Sequence, residues 1–317
     1  MHTPAWAQPS NLAALREQAA AWWAAHEPAL LVEVAATQGS TPREVGARMV
    51  VTARAEAGTV GGGHLEYLAV ATAREALATS PGALPSFERR FALGPSLGQC
   101  CGGVVTLRFS LLDEPSLLDW PRPPDALAGT LRLDAAATNN AIHHPIQLHG
   151  AGHVGRAIVV GLANARVQWV DERGSAYPND PAWFAAHPHV EQLHTDSAVG
   201  DVASAAPCTV FLVMTHSHEL DWRLVHAILQ RGDAAFCGLI GSRTKRASFM
   251  RRLAERGVPA DQLDRLACPI GLPPTVDWAP YAKQPEVIAA GVLRQLRALT
   301  EPAMARRGVP LTEPARG

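Results

Sequence analysis

The sequence predicts an α/β protein in which an N-terminal α+β domain is followed by a domain built on a parallel sheet. The first half mixes strand and helix patterns, whereas the second half alternates them strictly, as a parallel sheet requires. A proline-rich stretch separates the two patterns and marks a domain boundary. With 317 residues, of which 47% are hydrophobic, the chain is long enough to form a core in each half.

The predicted N-terminal domain spans residues 1–112 and begins with a helix that Ser10 or Asn11 can cap. Apolar residues recur on one face of this helix at helical spacing, namely Leu12, Leu15, Ala19, Trp22 and Trp23. Strands are predicted over 29–36, 46–51 and 104–111, and a second helix over 64–77. Leu65, Leu68 and Ala69 are expected to face the core from this second helix.

Residues 113–143 are predicted to form a linker with one short strand over 129–133, because prolines interrupt any regular pattern there. The second domain is predicted to span residues 144–317. Its predicted strands are 146–149, 167–170, 190–194, 209–214 and 235–240, and its predicted helices are 153–164, 221–231, 243–256 and 285–299.

A glycine-rich turn joins the first strand and the first helix of the second domain. Gly150, Gly152 and Gly155 form a G-x-G-x-x-G pattern, in which the glycines allow the turn, the approach of a pyrophosphate and close helix–strand packing. Asp171 ends the next strand at the spacing of a ribose-binding carboxylate. The pattern predicts a Rossmann-like domain that either binds a nucleotide or keeps the fold without one.

The loop after the fourth strand of this domain contains His216 and His218. Side chains two residues apart in extended chain point in the same direction, so the pair would suit an anionic ligand or a metal. The alternative is that Ser217 or His218 caps the following helix. No third metal ligand is evident, which favours ligand contact or capping over a metal.

The loop after the fifth strand has the same strand–glycine–helix pattern. Ser242 is a natural N-cap, and Arg243 and Lys245 bring positive charge near the crevice. This combination can hold phosphate, or it can be a capped surface helix with solvated basic residues.

Two loops in the first half carry polar side chains next to turn residues. Arg43 follows a threonine–proline pair, and Gly61, Gly62 and Gly63 open a helix as a cradle for an anion. Glu66 lies in the first turn of that helix, where a carboxylate also suits the helix dipole.

Cys100 and Cys101 lie between glycine pairs, with Gly102 and Gly103 leading into an apolar strand. Adjacent cysteines rarely pair with each other, and a thiol in such a turn suits a soft ligand, a metal or sulfur transfer. The alternative is two small hydrophobic residues packed at the start of a strand. The remaining cysteines lie in or next to apolar runs and are predicted to be core residues: Cys208, Cys237 and Cys268.

The composition excludes several classes of function. The formal net charge is −1, so no basic excess indicates binding to nucleic acid or to an anionic membrane surface. The N-terminus lacks the pattern of a signal peptide, and no apolar stretch approaches the ~20 residues of a membrane helix. We therefore expect a cytoplasmic protein with reduced cysteines.

The two halves together resemble the XdhC/CoxI family of xanthine dehydrogenase accessory proteins, which are molybdenum-cofactor chaperones. The resemblance rests on segments in a fixed order: Gly39–Arg43, Gly58–Glu66, Gly98–Gly103, Gly150–Gly155, Thr215–Asp221, Gly238–Arg243, Cys268–Leu272 and Lys283–Ala289. It covers nearly the whole chain apart from the linker and both tails. One departure is His64, where some branches of the family carry cysteine.

The resemblance implies a protein that binds the molybdenum cofactor, which contains molybdopterin, as cargo. The protein would protect this cofactor and support its sulfuration together with a cysteine desulfurase. It would then deliver the cargo to xanthine dehydrogenase, without being a turnover enzyme, and we expect a homodimer. The expected cargo contacts are Cys100, Cys101, Gly102, Gly103, Gly61, Gly62, Gly63, His64, Glu66, Arg43, Gly150, Gly152, Gly155, Asp171, His216, His218, Ser242 and Arg243. The triple-glycine loop, the cysteine turn and the Rossmann-like crevice should face one cleft, formed by one chain or across a dimer, because such a cargo has a soft end and a phosphate end.

Two other functions compete with this interpretation. One is an NAD(P)-dependent oxidoreductase that uses the glycine fingerprint, with His216 or His218 as the acid or base. The other is an interaction module with a vestigial Rossmann-like domain. The chaperone interpretation is favoured because it accounts for the motifs of both halves.

Overall fold

The structure is a computed structural model that describes residues 12–79, 84–93, 103–114, 142, 144–162, 165–271, 283–297 and 299. The predicted strand over 129–133, most of the predicted linker, and Cys100, Cys101 and Gly102 lie outside the described residues. The predicted limits of the two domains and of the linker therefore remain predictions.

The N-terminal half forms an antiparallel sheet in the order β3-β2-β1-β5-β4. Its strands are β1 (Ala29–Gln38), β2 (Arg48–Thr52), β3 (Glu56–Gly58), β4 (Phe87–Ala92) and β5 (Val104–Leu111). Two helices accompany the sheet, α1 (Leu12–Ala24) and α2 (Gly63–Thr79). Strands β3 and β4 were not predicted from the sequence.

The central strand β1 is buried on both faces because a helix covers each side of the sheet. Leu30 and Val32 belong to the core that includes Leu65 and Ala69 of α2. Leu31, which points the other way, packs in a separate core formed with α1. Leu15, Ala19 and Trp22 of α1 are buried as predicted, but Trp23 is 39% exposed, so its predicted place in the core is wrong.

The C-terminal half forms a parallel sheet in the order β11-β10-β9-β6-β7-β8. Its strands are β6 (Ile146–His149), β7 (Val167–Asp171), β8 (Val190–His194), β9 (Val210–Val213), β10 (Phe236–Leu239) and β11 (Leu266–Ala267). Numbered from its own first strand, this is the doubly wound order 3-2-1-4-5-6 of the Rossmann fold. The predicted fold class is confirmed.

Helices cover both faces of the parallel sheet. They are α3 (His153–Gly161), α4 (Pro181–Ala186), α5 (Ala198–Ser204), α6 (His218–Arg231), α7 (Arg243–Glu255), α8 (Ala260–Leu263) and α9 (Pro285–Arg297). Helices α3 and α9 contribute to one core, and α6 and α7 contribute to the core on the other face. The short elements α4, α5, α8 and β11 were not predicted, because they are too short for a periodic apolar pattern.

His149 ends the central strand β6 and is 1% exposed. Its Nε2 lies 3.3 Å from Oε1 of Gln147, and its ring stacks near Phe211. Burial lowers the pKa of His149 to about 4, and the nearby charge of Asp171 offsets only part of that effect. The ring is therefore neutral in the folded protein at neutral pH.

We expect stability to fall in mild acid because of this histidine. Its folded pKa lies below the unfolded value of about 6.5, so the unfolded chain takes up the proton first. The stabilisation that comes from keeping His149 neutral is complete above pH 6.5 and is lost as the pH falls to about 4. The free energy of unfolding should fall by about 3 kcal/mol in total over this range. The free energy of unfolding, measured with denaturant at several pH values, should change less steeply with pH in His149→Gln than in the unmodified protein over this range. Equal slopes for the two proteins would contradict this assignment.

Candidate functional site

A cavity of about 660 Å³ lies between the two halves, at the carboxyl ends of the strands of the parallel sheet. Ligands of doubly wound proteins bind at this edge of the sheet. The N-terminal half contributes the loops that follow β1 and β3, and the C-terminal half contributes the ends of β6, β7, β9 and β10 and the start of α9. The triple-glycine loop and the Rossmann crevice therefore face one cavity within one chain, which agrees with two parts of the prediction. The third part stays a prediction, because Cys100 and Cys101 lie outside the described residues.

Helix starts surround this cavity. The loop before α2 lines it with Gly61 to Gly63, and α3 begins at its wall with Gly152. Ser242, the N-cap of α7, and Pro285, the first residue of α9, line it as well. Each helix N-terminus carries a partial positive charge, so the four together favour an anionic ligand.

The glycine fingerprint has a different role at each position. A Cβ atom on Gly150 would lie 2.2 Å from the carbonyl oxygen of Met214, and one on Gly155 would lie 2.1 Å from that of Gly150. These two glycines allow the loop to close on itself. A Cβ atom on Gly152 would meet nothing within 4 Å, so this residue leaves open space on the cavity side.

Asp171 is held inside the protein. Its carboxylate accepts hydrogen bonds from the Ala151 amide at 2.7 Å and from Nε and Nη2 of Arg173, both at 3.0 Å. Burial raises the pKa of Asp171, but the hydrogen bonds from Arg173 and Ala151 outweigh it, and the net shift is downward. The side chain of Asp171 is only 2% exposed, whereas Arg173 is 40% exposed and lines the cavity. A ribose would have to displace these contacts, and that role of Asp171 stays a prediction.

His216 and His218 do not point toward a common site. His216 is exposed and lines the cavity. Ser217 caps α6, because its Oγ accepts a hydrogen bond from the Leu220 amide at 3.2 Å. His218 therefore begins a helix and packs edge-on against Phe249 at 4.8 Å between ring centroids. The expectation of a paired orientation is wrong, and the capping alternative is confirmed.

The predicted positive charge at the start of α7 is also arranged differently. Lys245 is buried and donates to Oδ2 of Asp221 at 2.6 Å and to the carbonyl oxygen of Ile240 at 3.0 Å. Lys245 therefore neutralises a buried carboxylate and does not contribute positive charge to the crevice. Arg243 is exposed and does not line the cavity, whereas Ser242 caps the helix and does.

The N-terminal half places a carboxylate and a guanidinium in the cavity wall. Arg43 is buried, pairs with Glu44 and donates to the Thr59 carbonyl oxygen at 3.3 Å. Burial raises the pKa of Glu66, but the charge and hydrogen bond of His153, with hydrogen bonds from Thr59 and Gly62, outweigh it and lower the pKa. Glu66 is therefore a carboxylate at neutral pH.

The two halves contact each other across the cavity. His153 Nε2 lies 3.1 Å from Oε1 of Glu66, and Lys283 Nζ lies 3.3 Å from Oγ1 of Thr41. The carboxylate orients the ring of His153 with Nε2 toward the N-terminal half.

The expected site omitted four basic residues that line the cavity: His153, Arg156, Arg173 and Lys283. Burial lowers the pKa of Arg156 to about 10, which leaves it charged at neutral pH. The periodicity of α3 could have revealed Arg156, which lies three residues after His153 on one face. For Arg173 and Lys283, no local signal shows that their side chains reach the cavity.

His64 lies outside the cavity, on the exposed start of α2, where it lines an adjacent groove. Cys100 and Cys101 lie outside the described residues. Gly103, two residues further on, donates to the Ser40 carbonyl oxygen at 3.1 Å, and Ser40 lines the cavity. The first described residue after the paired cysteines is therefore hydrogen-bonded to a residue of the cavity wall.

The remaining cysteines divide into two kinds. Cys237 and Cys268 are buried, and burial raises the pKa of Cys237 to about 12, so its thiol is inert. Cys208 is exposed and has a φ of 59°, in the left-handed region. Its predicted place in the core is wrong, because it lies in the turn before β9 and not in the strand.

Within the described part of the chain, no group of three or more histidine, cysteine, aspartate or glutamate residues could hold a metal ion. The helices described there are all too short or too polar to span a bilayer.

Comparison with known proteins gives concordant matches in both halves. The model of the XdhC Rossmann domain matches residues 146–296, and the model of the XdhC and CoxI family matches residues 22–87. The uncharacterized protein YqeB of Escherichia coli K12 is 24% identical over 273 residues, which are 85% of this chain and 43% of that protein. This chain thus spans less than half the length of that relative.

A solved structure of similar extent is described as a xanthine dehydrogenase (BH1974) from Bacillus halodurans. The match has 17% identity and a TM-score of 0.39, and it covers 92% of this chain and 96% of that one. The two family models lie in the expected order and together cover β1 to β3 of the antiparallel sheet and all strands of the parallel sheet. This chain belongs to the XdhC/CoxI family.

Proposed function

We propose that this protein is a chaperone that binds the molybdenum cofactor, protects it, supports its sulfuration and delivers it to xanthine dehydrogenase. Family membership suggests an accessory function for xanthine dehydrogenase. The roles in cofactor binding, protection, sulfuration and delivery rest on the chemistry of the cavity between the two halves.

The observation that carries the proposal is the convergence of helix starts and cationic side chains on that cavity. Molybdopterin ends in a phosphate, and a helix N-terminus with a nearby cation is a favourable place for a phosphate. Gly152 leaves room for it at the start of α3, while Arg156 and Lys283 supply positive charge. A volume of about 660 Å³ lies within the range of cofactor sites.

The soft end of the cargo is assigned to the cysteine turn. Thiolates are preferred ligands of soft metal centres, and Cys101 lies only two residues before Gly103, whose amide is bonded to the cavity wall at Ser40. A cysteine desulfurase as sulfur donor, a homodimer and the absence of turnover belong to this proposal. The oxidoreductase alternative has less support, because the carboxylate of Asp171 is already committed to Ala151 and Arg173.

The direct test is to purify the protein from molybdenum-replete cells and to measure bound pterin and molybdenum per chain. We expect both to co-purify in similar amounts. A protein that carries neither, and that takes up neither when mixed with released cofactor, would overturn the proposal.

Replacing Cys100 or Cys101 with alanine should lower the bound cofactor roughly tenfold, which corresponds to about 1.4 kcal/mol. The reason is that alanine removes a soft ligand with little change in volume. Pterin content per folded protein, measured beside a thermal melt, is the readout.

Two other cysteines serve as controls. Cys237→Ala should cost about 1 kcal/mol of stability, because it truncates a buried side chain, and should leave the loading unchanged. Cys208→Ala, at an exposed position, should change stability by less than about 0.5 kcal/mol. If the Cys100 and Cys101 variants only melt earlier and keep full loading, the pair are packing residues.

A further inference from the structure

A second groove of about 620 Å³ continues from the cavity along the outer side of α2. The groove and the cavity share residues from both halves of the protein: Glu56, Gly63, Glu66, Arg173 and His216. A single elongated ligand could therefore occupy both. The function proposed above uses only the first of these spaces.

One wall of the groove is aromatic and open to solvent. His64 and Tyr67 of α2 stack on each other with ring centroids 5.8 Å apart and an interplanar angle of 26°. Tyr67 is 68% exposed, so its ring is not part of either core of the N-terminal half. Val70, one turn further along α2, extends this wall. Exposed aromatic rings at the edge of a groove are suited to stacking against a planar base.

The opposite wall is polar and comes from the loops after β7 and β9. It contains Arg173, His216 and Ser217. In a doubly wound sheet, the residues just beyond the second strand face the sugar of a bound nucleotide. Here that strand is β7, where Asp171 is buried and Arg173 is the exposed group. The groove thus lies where a nucleoside lies in this fold, and it presents a guanidinium to the sugar.

We infer that this groove is a nucleoside subsite, so that the full site accepts a ligand whose phosphates are joined to a nucleoside. The phosphates lie at the start of α3 beside Gly152, the base stacks against Tyr67 and His64, and Arg173 contacts the sugar or a phosphate. This inference deepens the proposed function and rests on it for the phosphate position. It predicts that the nucleoside contributes to binding energy and does not merely extend into solvent.

The probes are ADP and inorganic pyrophosphate, titrated calorimetrically into the full chain from cells that cannot make molybdopterin. Both carry a diphosphate, so the difference between them isolates the nucleoside. We expect ADP to bind about tenfold more tightly than pyrophosphate. Tyr67→Ala should abolish most of this difference without weakening pyrophosphate binding, whereas Tyr67→Phe should keep it. Trp23→Ala, which removes an exposed aromatic ring from α1, is the matched control and should change neither affinity.

Three results would overturn the inference: no binding of ADP, equal affinities for the two probes, or an ADP preference that survives in Tyr67→Ala. Pterin content of protein from molybdenum-replete cells separates this failure from failure of the proposed function. Loaded protein with no preference for ADP rejects the nucleoside subsite alone. Protein that prefers ADP but never carries pterin rejects the chaperone function alone.

Discussion

Replacing Lys245 with methionine is expected to lower the free energy of unfolding by about 3–5 kcal/mol. Lys245 and Asp221 form an ion pair at 2.6 Å, and each side chain is only 2% exposed. Methionine keeps most of the volume but leaves the Asp221 carboxylate buried without its counter-charge. Denaturant unfolding of the full chain measures the loss.

The double variant Asp221→Asn with Lys245→Met tests whether the unpaired Asp221 carboxylate causes the loss of stability in Lys245→Met. Asparagine can still accept the hydrogen bonds that Thr215 donates to Oδ1 of Asp221 through its amide and hydroxyl. We therefore expect the double variant to be more stable than Lys245→Met alone. A single variant that loses less than about 1 kcal/mol, or a double variant that is no better, would show that the buried pair contributes little.

This ion pair also bears on the site. Asp221 fixes the loop after β9, which carries His216, and Lys245 fixes the loop after β10, which carries Ser242. Both loops end at the cavity wall. Lys245, which the sequence suggested as a contact for phosphate, therefore holds a loop of the cavity wall in place instead.

Local sequence was sufficient for β5 and β6. Both strands have the predicted limits, because apolar residues bounded by turn residues determine them without help from the rest of the fold. β4 escaped prediction because it pairs only with β5 at the edge of the sheet and carries three charged residues in six. Its place depends on a partner strand that is distant in sequence.

The loops of the site could be predicted, but the direction of their side chains could not. His218 turns away because Ser217 caps α6, so that His218 is the first residue of the helix. Lys245 turns inward because it pairs with Asp221, which lies 24 residues before it in the chain. Asp171 illustrates the same point, since its spacing suggests a ribose contact while Arg173 and Ala151 occupy its oxygens. The pairing of charged side chains depends on the tertiary structure and cannot be inferred from the local sequence.

Gly152→Asp is expected to reduce bound cofactor at least about tenfold while leaving the fold intact. Gly152 is the N-cap of α3, with φ −77° and ψ −173°, a conformation that any residue adopts. A Cβ atom there meets no neighbour within 4 Å, and no side chain caps the helix now. Aspartate is a good N-cap, so stability should stay equal or rise by a few tenths of a kcal/mol. Its carboxylate would nevertheless occupy the place where the cavity favours an anion.

Gly152→Asn is the matched control, because asparagine has nearly the same shape and capping ability without the charge. If electrostatic repulsion is the cause, the asparagine variant should retain clearly more pterin than the aspartate variant, and the gap should narrow as salt screens the charges. Equal loading of both variants at a reduced level would mean that space alone matters at Gly152. Full loading of the aspartate variant would mean that the start of α3 does not hold the phosphate, and the anionic end of the cargo would have to lie nearer Lys283 and Thr41, at the opposite contact between the halves.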